Sequence, residues 1–190
     1  MSDFYKDSYK IRKYELFSLS VCNVGHQKCD RNHHWGPGLK DHYLIHHILT
    51  GKGYYHCNGK LYTLKAGDSF LIYPNHEVWY YADTEDPWEY SWIGFTGNDA
   101  PSILKATRFT PSFPVTYNNI HSGEIGQRMN QMVELLAQGR RVGQEKLGPH
   151  PCVHPRHPRH ILKGAGGKAA SVLQHGAFYK GAGHHMGQLG

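Results

Sequence analysis

Histidine, tyrosine, tryptophan and cysteine are the side chains of this 190-residue sequence with chemistry to offer. The four cysteines, Cys22, Cys29, Cys57 and Cys152, show no CxxC or zinc-type spacing and read as free, partly buried thiols of a cytoplasmic protein. His46 and His47 are adjacent, so on a strand they face opposite sides. The aromatic residues crowd into Asp41 to Gly97, the stretch that also holds this histidine pair. Such a set suits the recognition of a small polar ligand. An indole stacks on the apolar C–H face of a sugar, and phenol and imidazole groups hydrogen-bond its rim of hydroxyls. The C-terminal histidines could bind nickel or zinc adventitiously, but nothing gives them a geometry.

The elements that must position these residues are short strands. Apolar, aromatic-rich segments recur every eight to twelve residues, broken by Gly, Asn-Gly or Pro, as in a small antiparallel barrel or sandwich. Strands are expected at 14–24, 43–49, 54–57, 60–64, 69–73, 78–82 and 89–95. The Asn58-Gly59 pair makes 54–64 a hairpin, because both turn residues tolerate positive φ. Residues 26–40 read as a polar loop. A short helix is expected at 98–107, capped by Asn98 or Asp99. A longer one is expected from Ser122 to Gln138, stopped by Gly139. Ile125, Met129, Met132, Val133 and Leu136 form its apolar stripe at spacings of three and four. That stripe packs on the barrel, on a partner, or on both.

Charge divides the chain in two. Residues 1–145 hold all 15 Asp and Glu and 15 of the 21 Lys and Arg, so the body nets zero. A neutral body does not suggest nucleic-acid binding by the body itself. The other six bases lie beyond residue 145 and face no acid. There HPCVHPRHPRH, then Gly, Ala, Lys and Gln, offer no periodicity to bury, and 146–190 is expected to be a disordered tail. Residues 1–13 are polar and read as a flexible arm. No segment has the length and apolarity of a signal peptide or membrane span.

The order of the turn residues resembles one family. The matching pieces are Gly36-Pro37, Leu49-Thr50-Gly51-Lys52-Gly53, Asn58-Gly59 with Tyr62, and Leu64-Lys65-Ala66-Gly67-Asp68. They continue with Phe70-Leu71-Ile72-Tyr73-Pro74, Tyr81-Ala82-Asp83, Asp86-Pro87-Trp88, Tyr90, Trp92, Phe95 and Gly97. In this order they are similar to the effector-binding barrel of the arabinose-operon-regulator (AraC) class of bacterial transcription factors. The resemblance implies a mainly β fold: a cupin-type jelly-roll barrel over 14–97, followed by one or two helices in a dimerisation segment over 98–140. It implies a small-molecule effector, a sugar in kind, bound in the barrel of a homodimer. It also implies a C-terminal helix-turn-helix domain that this sequence lacks, so DNA would be bound only through that missing half. A reading-frame shift near codons 140–146 accounts for the change of composition; a natural stand-alone sensor is the alternative.

The resemblance also sets which residues face inward. It puts Leu44, His46 and Ile48 inside on one strand, Trp79 and Tyr81 on a second, and Tyr90 and Trp92 on a third. The implied ligand set is therefore His46, Trp79, Tyr81, Tyr90 and Trp92; the opposing reading is that these aromatics merely fill a small barrel. The implied dimer contacts are Ile125, Met129, Met132, Val133 and Leu136. The family's arginine at the pocket mouth corresponds to Gly36, which puts arabinose itself in doubt. Metal-dependent cupins carry a Glu where this chain has Leu44 and a late His where it has Trp79. No metal, no cofactor and no enzyme activity are therefore expected. The alternative, a metal-dependent cupin enzyme acting on a sugar or other small molecule, needs ligands from elsewhere.

Overall fold

The computed structural model describes residues 4–10, 18–118 and 120–145. Ten strands and two helices are assigned there: β1 (Tyr5–Lys10), β2 (Ser20–Lys28), β3 (His34–Gly38), β4 (Tyr43–Thr50), β5 (Lys52–Cys57) and β6 (Lys60–Lys65). Then follow β7 (Ser69–Ile72), β8 (Val78–Ala82), β9 (Glu89–Thr96), α1 (Ala100–Lys105), β10 (Val115–Thr116) and α2 (Ser122–Glu145). The fold is mainly β, a jelly roll of two sheets. One sheet has the order β1-β2-β9-β4-β7-β10 and the other β3-β8-β5-β6, with antiparallel pairing throughout both. Asn58 (φ 53°) and Gly59 (φ 71°) make the β5–β6 turn, as their types require.

The central strands of the six-stranded sheet are buried on both faces. Toward the smaller sheet it packs Leu44, Ile48, Phe70, Ile72, Tyr90 and Trp92 against Tyr55, Leu64, Val78 and Tyr80. Tyr55 crosses this core and donates from its hydroxyl to the Leu71 carbonyl at 3.1 Å. On the opposite face Val24, Ile45, Leu71, Ile93 and Phe95 meet the helices. This is why β4 and β9 read as almost unbroken apolar runs instead of alternating ones.

Several expectations need correction. Residues 5–10 of the supposed arm form an edge strand on β2, held by the Tyr5 hydroxyl on Glu89 at 3.1 Å. The supposed loop 26–40 contains the end of β2 and all of β3, which pairs with β8. Helix α2 runs through Gly139 to Glu145; a glycine costs a helix only ~1 kcal/mol, and tertiary packing of the apolar face outweighs it. Asp99 occupies the N-cap of α1 but makes no side-chain capping bond. The rest of the expected arm, residues 14–17 of the first expected strand, Cys152 and the tail 146–190 lie outside the described residues.

The apolar stripe of α2 packs on the barrel, one of the partners expected for it. Ile125, Met129, Met132 and Val133 are buried against the six-stranded sheet, and Leu136 is half-buried on the same core. Gly126 lets the helix approach closely, since a Cβ there would lie 2.6 Å from the Leu49 side chain. These five residues therefore pack on the barrel within the chain. The outward side of α2 carries Gln127, Gln131, Glu134, Leu135 and Gln138.

Candidate functional site

A cavity of about 490 Å³ opens between the sheets at the end where β1, β2 and β9 face β3 and β8. Its size is that of a ligand pocket. The walls come from alternation along each strand: Leu44 and His46 from β4, Tyr90 and Trp92 from β9, Asn23 and Gln27 from β2, Trp35 from β3 and Tyr80 from β8. Lys6 and Ser8 of β1 close one side, and residues 39–42 close another.

Aromatic rings build the interior. Tyr80 stacks on Trp35 with centroids 5.5 Å apart, and Tyr90 meets Trp92 edge-on at 5.9 Å. The ammonium groups of Lys40 and Lys6 lie 4.1 and 5.7 Å from the Trp35 and Trp92 ring centroids. His46 lies parallel to Phe70 at 4.4 Å and is enclosed by Tyr80, Tyr90 and Trp92. Burial drives its pKa well below the ordinary value, so the imidazole is neutral. Its Nδ1 is buried without a hydrogen-bond partner in the protein, a polar atom left for something else to satisfy.

The polar groups are oriented by their neighbours. Gln27 Nε2 donates to His33 Nδ1 at 3.1 Å, so His33 carries its proton on Nε2 and donates it to the Tyr90 hydroxyl at 2.9 Å. Burial and the nearby Lys6 charge lower the His33 pKa. Burial raises the pKa of Tyr80 and Tyr90, leaving both phenols protonated. Cys29 beneath them is pushed up to about 12 by burial, an inert thiol.

Of the five residues expected in the site, His46, Tyr90 and Trp92 line the cavity. Trp79 and Tyr81 do not. They point from β8 to the outer face, where Trp79 stacks on His56 at 3.5 Å and Tyr81 on Tyr54 at 4.9 Å. Val78, Tyr80 and Ala82 are the inward residues. The inward assignment of β8 was therefore wrong by one residue, and a one-residue slip reverses every side chain. The signal lay in the partner strand: Lys52 and His56 mark the outer face of β5, and Tyr54↔Tyr81 and His56↔Trp79 are cross-strand pairs. Tyr80, Trp35, Asn23, Gln27 and Lys6 were not expected in the site. Gly36 stays outside the cavity lining; at φ 91° its missing Cβ clears the Val78 carbonyl and Trp79. Among the described residues no three of His, Cys, Asp and Glu converge in a way that could hold a metal ion, and the cupin Glu position, Leu44, is buried in the apolar wall.

On the other face of the same strands the residues between the pocket residues hold α2. His47 Nε2 donates to the Ser122 carbonyl at 3.0 Å, while Nδ1 accepts from the Ser69 hydroxyl at 2.8 Å. Burial lowers its pKa to about 4, with the Ser122 bond partly opposing. Ser91, between Tyr90 and Trp92, donates from its hydroxyl to Asn130 of α2.

A two-sheet jelly roll with an aromatic cavity and a helix on its outer wall is a ligand-binding module, and the sequence places it in a family. The chain belongs to the AraC-like ligand binding domain family, whose profile matches residues 23–148. It is 40% identical over 120 residues to the Msm operon regulatory protein of Streptococcus mutans, covering 63% of this chain and 41% of that one. It is 37% identical over 90 residues to the raffinose operon transcriptional regulatory protein of Pediococcus pentosaceus, covering 46% and 32%. The chain thus spans less than half the length of these relatives. Among solved structures it is similar to the protein YhaK of Escherichia coli, with TM-score 0.43 and 14% identity over 49% of this chain and 45% of that one. No helix among the described residues is long and apolar enough to cross a membrane.

Proposed function

We propose that this chain is the sugar-sensing part of a transcriptional regulator and binds its effector in the cavity between the sheets. The observation that carries the reading is the cavity lining: Trp35, Tyr80, Tyr90 and Trp92 surround a neutral His46 whose Nδ1 lacks a partner. Aromatic faces suit the C–H faces of a pyranose, and the imidazole, phenols and amides suit its hydroxyls. The names of the two relatives point the same way, both being operon regulators and one that of a raffinose operon. Such a protein is a switch and not an enzyme. DNA contact would come from a domain beyond this chain, and dimerisation would use the outward side of α2 instead of its buried stripe. Binding at His46, Tyr90 and Trp92 would reach α2 through His47 and Ser91, their neighbours on β4 and β9, as a shift between docked populations of the helix.

Thermal melts of the 190-residue chain with raffinose, sucrose and glucose 6-phosphate test this. One sugar should raise the melting temperature progressively with its concentration, by RT ln(1 + [L]/Kd) in free energy. No shift with any sugar at millimolar concentration, together with stoichiometric iron, manganese or zinc in the purified protein, would favour a metal-dependent cupin enzyme.

A further inference from the structure

We infer that Asn23 and His42 are positioning residues for Trp92, and that protonation of His42 releases the indole and weakens ligand binding. The ligand clause rests on the sugar-binding reading above; the positioning clause does not.

Three contacts around Trp92 can run in only one direction. An indole N–H donates and never accepts. Trp92 Nε1 therefore donates to Asn23 Oδ1, 3.0 Å away. That turns the Asn23 amide nitrogen toward His42 Nε2 at 2.9 Å. An amide NH2 only donates, so His42 Nε2 must offer a lone pair. Its proton is then on Nδ1, which donates to the Asp41 carboxylate. The chain Trp92→Asn23→His42→Asp41 has a single sense, and it exists only while His42 is neutral.

The backbone is built around this chain. A β-bulge between Val21 and Asn23 turns Asn23 toward the cavity while Val21 and Val24 both face the helices. A Cβ at Gly94 would come within 2.5 Å of Asn23 Nδ2 and 2.8 Å of His42 Nε2, so the pair lies flat on that glycine. A Cβ at Gly25 would collide with the Trp92 ring at 2.1 Å, so the indole rests on β2.

Acid breaks the pattern. With both nitrogens of His42 protonated, Nε2–H faces the Asn23 NH2, donor against donor. Flipping the amide restores that contact but sets NH2 against the Trp92 N–H. One contact is lost either way, and Trp92 is freed. The charged groups nearest His42 are Asp41, which accepts from its Nδ1, and Lys40 and Lys6, which line the same cavity. His46 of β4 and His33 also serve this cavity, but burial holds both neutral to lower pH.

The test reads the indole directly. In ¹⁵N–¹H spectra of the full chain, the Trp92 Nε1–H signal is assigned by its loss in Trp92→Phe. It should shift in one step as acid protonates His42. His42→Gln keeps an acceptor for Asn23 without a titrating proton, so the step should vanish. Asn23→Asp offers a carboxylate to both Trp92 and the imidazolium, so acid should strengthen the Trp92 bond there. Raffinose affinity should fall about three- to tenfold across the step in the parent chain and stay flat in His42→Gln. A Trp92 signal indifferent to pH, or a step unchanged in His42→Gln, overturns the inference. If raffinose does not bind but the indole step follows this pattern, the positioning role stands and the sugar reading falls.

Discussion

The two faces of the six-stranded sheet use the same strands for opposite ends. On the helix side β4 and β9 offer Ile45, Ile93 and Phe95, with His47 and Ser91 fully satisfied by α2, Ser69 and Ser122. On the cavity side they offer Leu44, His46, Tyr90 and Trp92, beside 490 Å³ of space and a buried imidazole nitrogen with no partner. A closed polar inventory is what a packed core needs; an open one is what a binding site needs. The adjacent pair His46 and His47 shows the contrast at the scale of two residues. Both are buried and neutral, but only one has its hydrogen bonds made within the protein.

If the faces differ in this way, substitutions should separate stability from affinity. The largest effect belongs to the helix side: Ile93→Ala should cost about 2–5 kcal/mol in urea denaturation, through lost burial and a cavity. Next comes the pH dependence of the same face. His47 has a folded pKa of about 4 against an ordinary 6.5, so the unfolded chain takes up the proton first. Stability is full above about pH 6.5 and falls as pH drops toward 4, by on the order of 3 kcal/mol, with His46 adding a loss of the same sign. Denaturation midpoints at several pH values read this, and His47→Gln should flatten the slope. On the cavity side, Trp92→Ala should weaken sugar binding by more than about tenfold, as truncation of a central aromatic anchor does. The smallest effect is expected from Trp79→Ala on the outer face of β8, where affinity should stay within about twofold.

Much of the fold was legible because the chain announces its turns. Asn58-Gly59, Gly51-Lys52-Gly53 and Pro74-Asn75 separate strands that the structure places within a residue or two. Strand β8 is the place where the reading failed, for a physical reason. Val78-Trp79-Tyr80-Tyr81-Ala82 is apolar or aromatic at every position, so it carries no polar residue to mark the outer face. Only pairing with β5, where Lys52 and His56 are outward, resolves it. The α2 stripe was legible as a stripe, but periodicity tells that a face is buried and not what buries it. Asn23 was invisible for another reason: its inward direction comes from a bulge, and a bulge breaks the alternation that sequence reading depends on. Strand β1 escaped because Tyr5-Lys6-Asp7-Ser8 is polar on both faces, as an edge strand with one face over an open cavity can be.

The most direct test of the central claim is calorimetric titration of the 190-residue chain with raffinose, repeated on Tyr80→Ala and Tyr81→Ala. These neighbours carry the same side chain on opposite sides of β8, and a denaturation curve of each variant separates lost folding from lost binding. The account predicts saturable binding near one sugar per chain, more than about tenfold weaker in Tyr80→Ala and unchanged in Tyr81→Ala. Equal loss in both, or loss in Tyr81→Ala alone, would contradict the assignment of the cavity between the sheets as the sugar site.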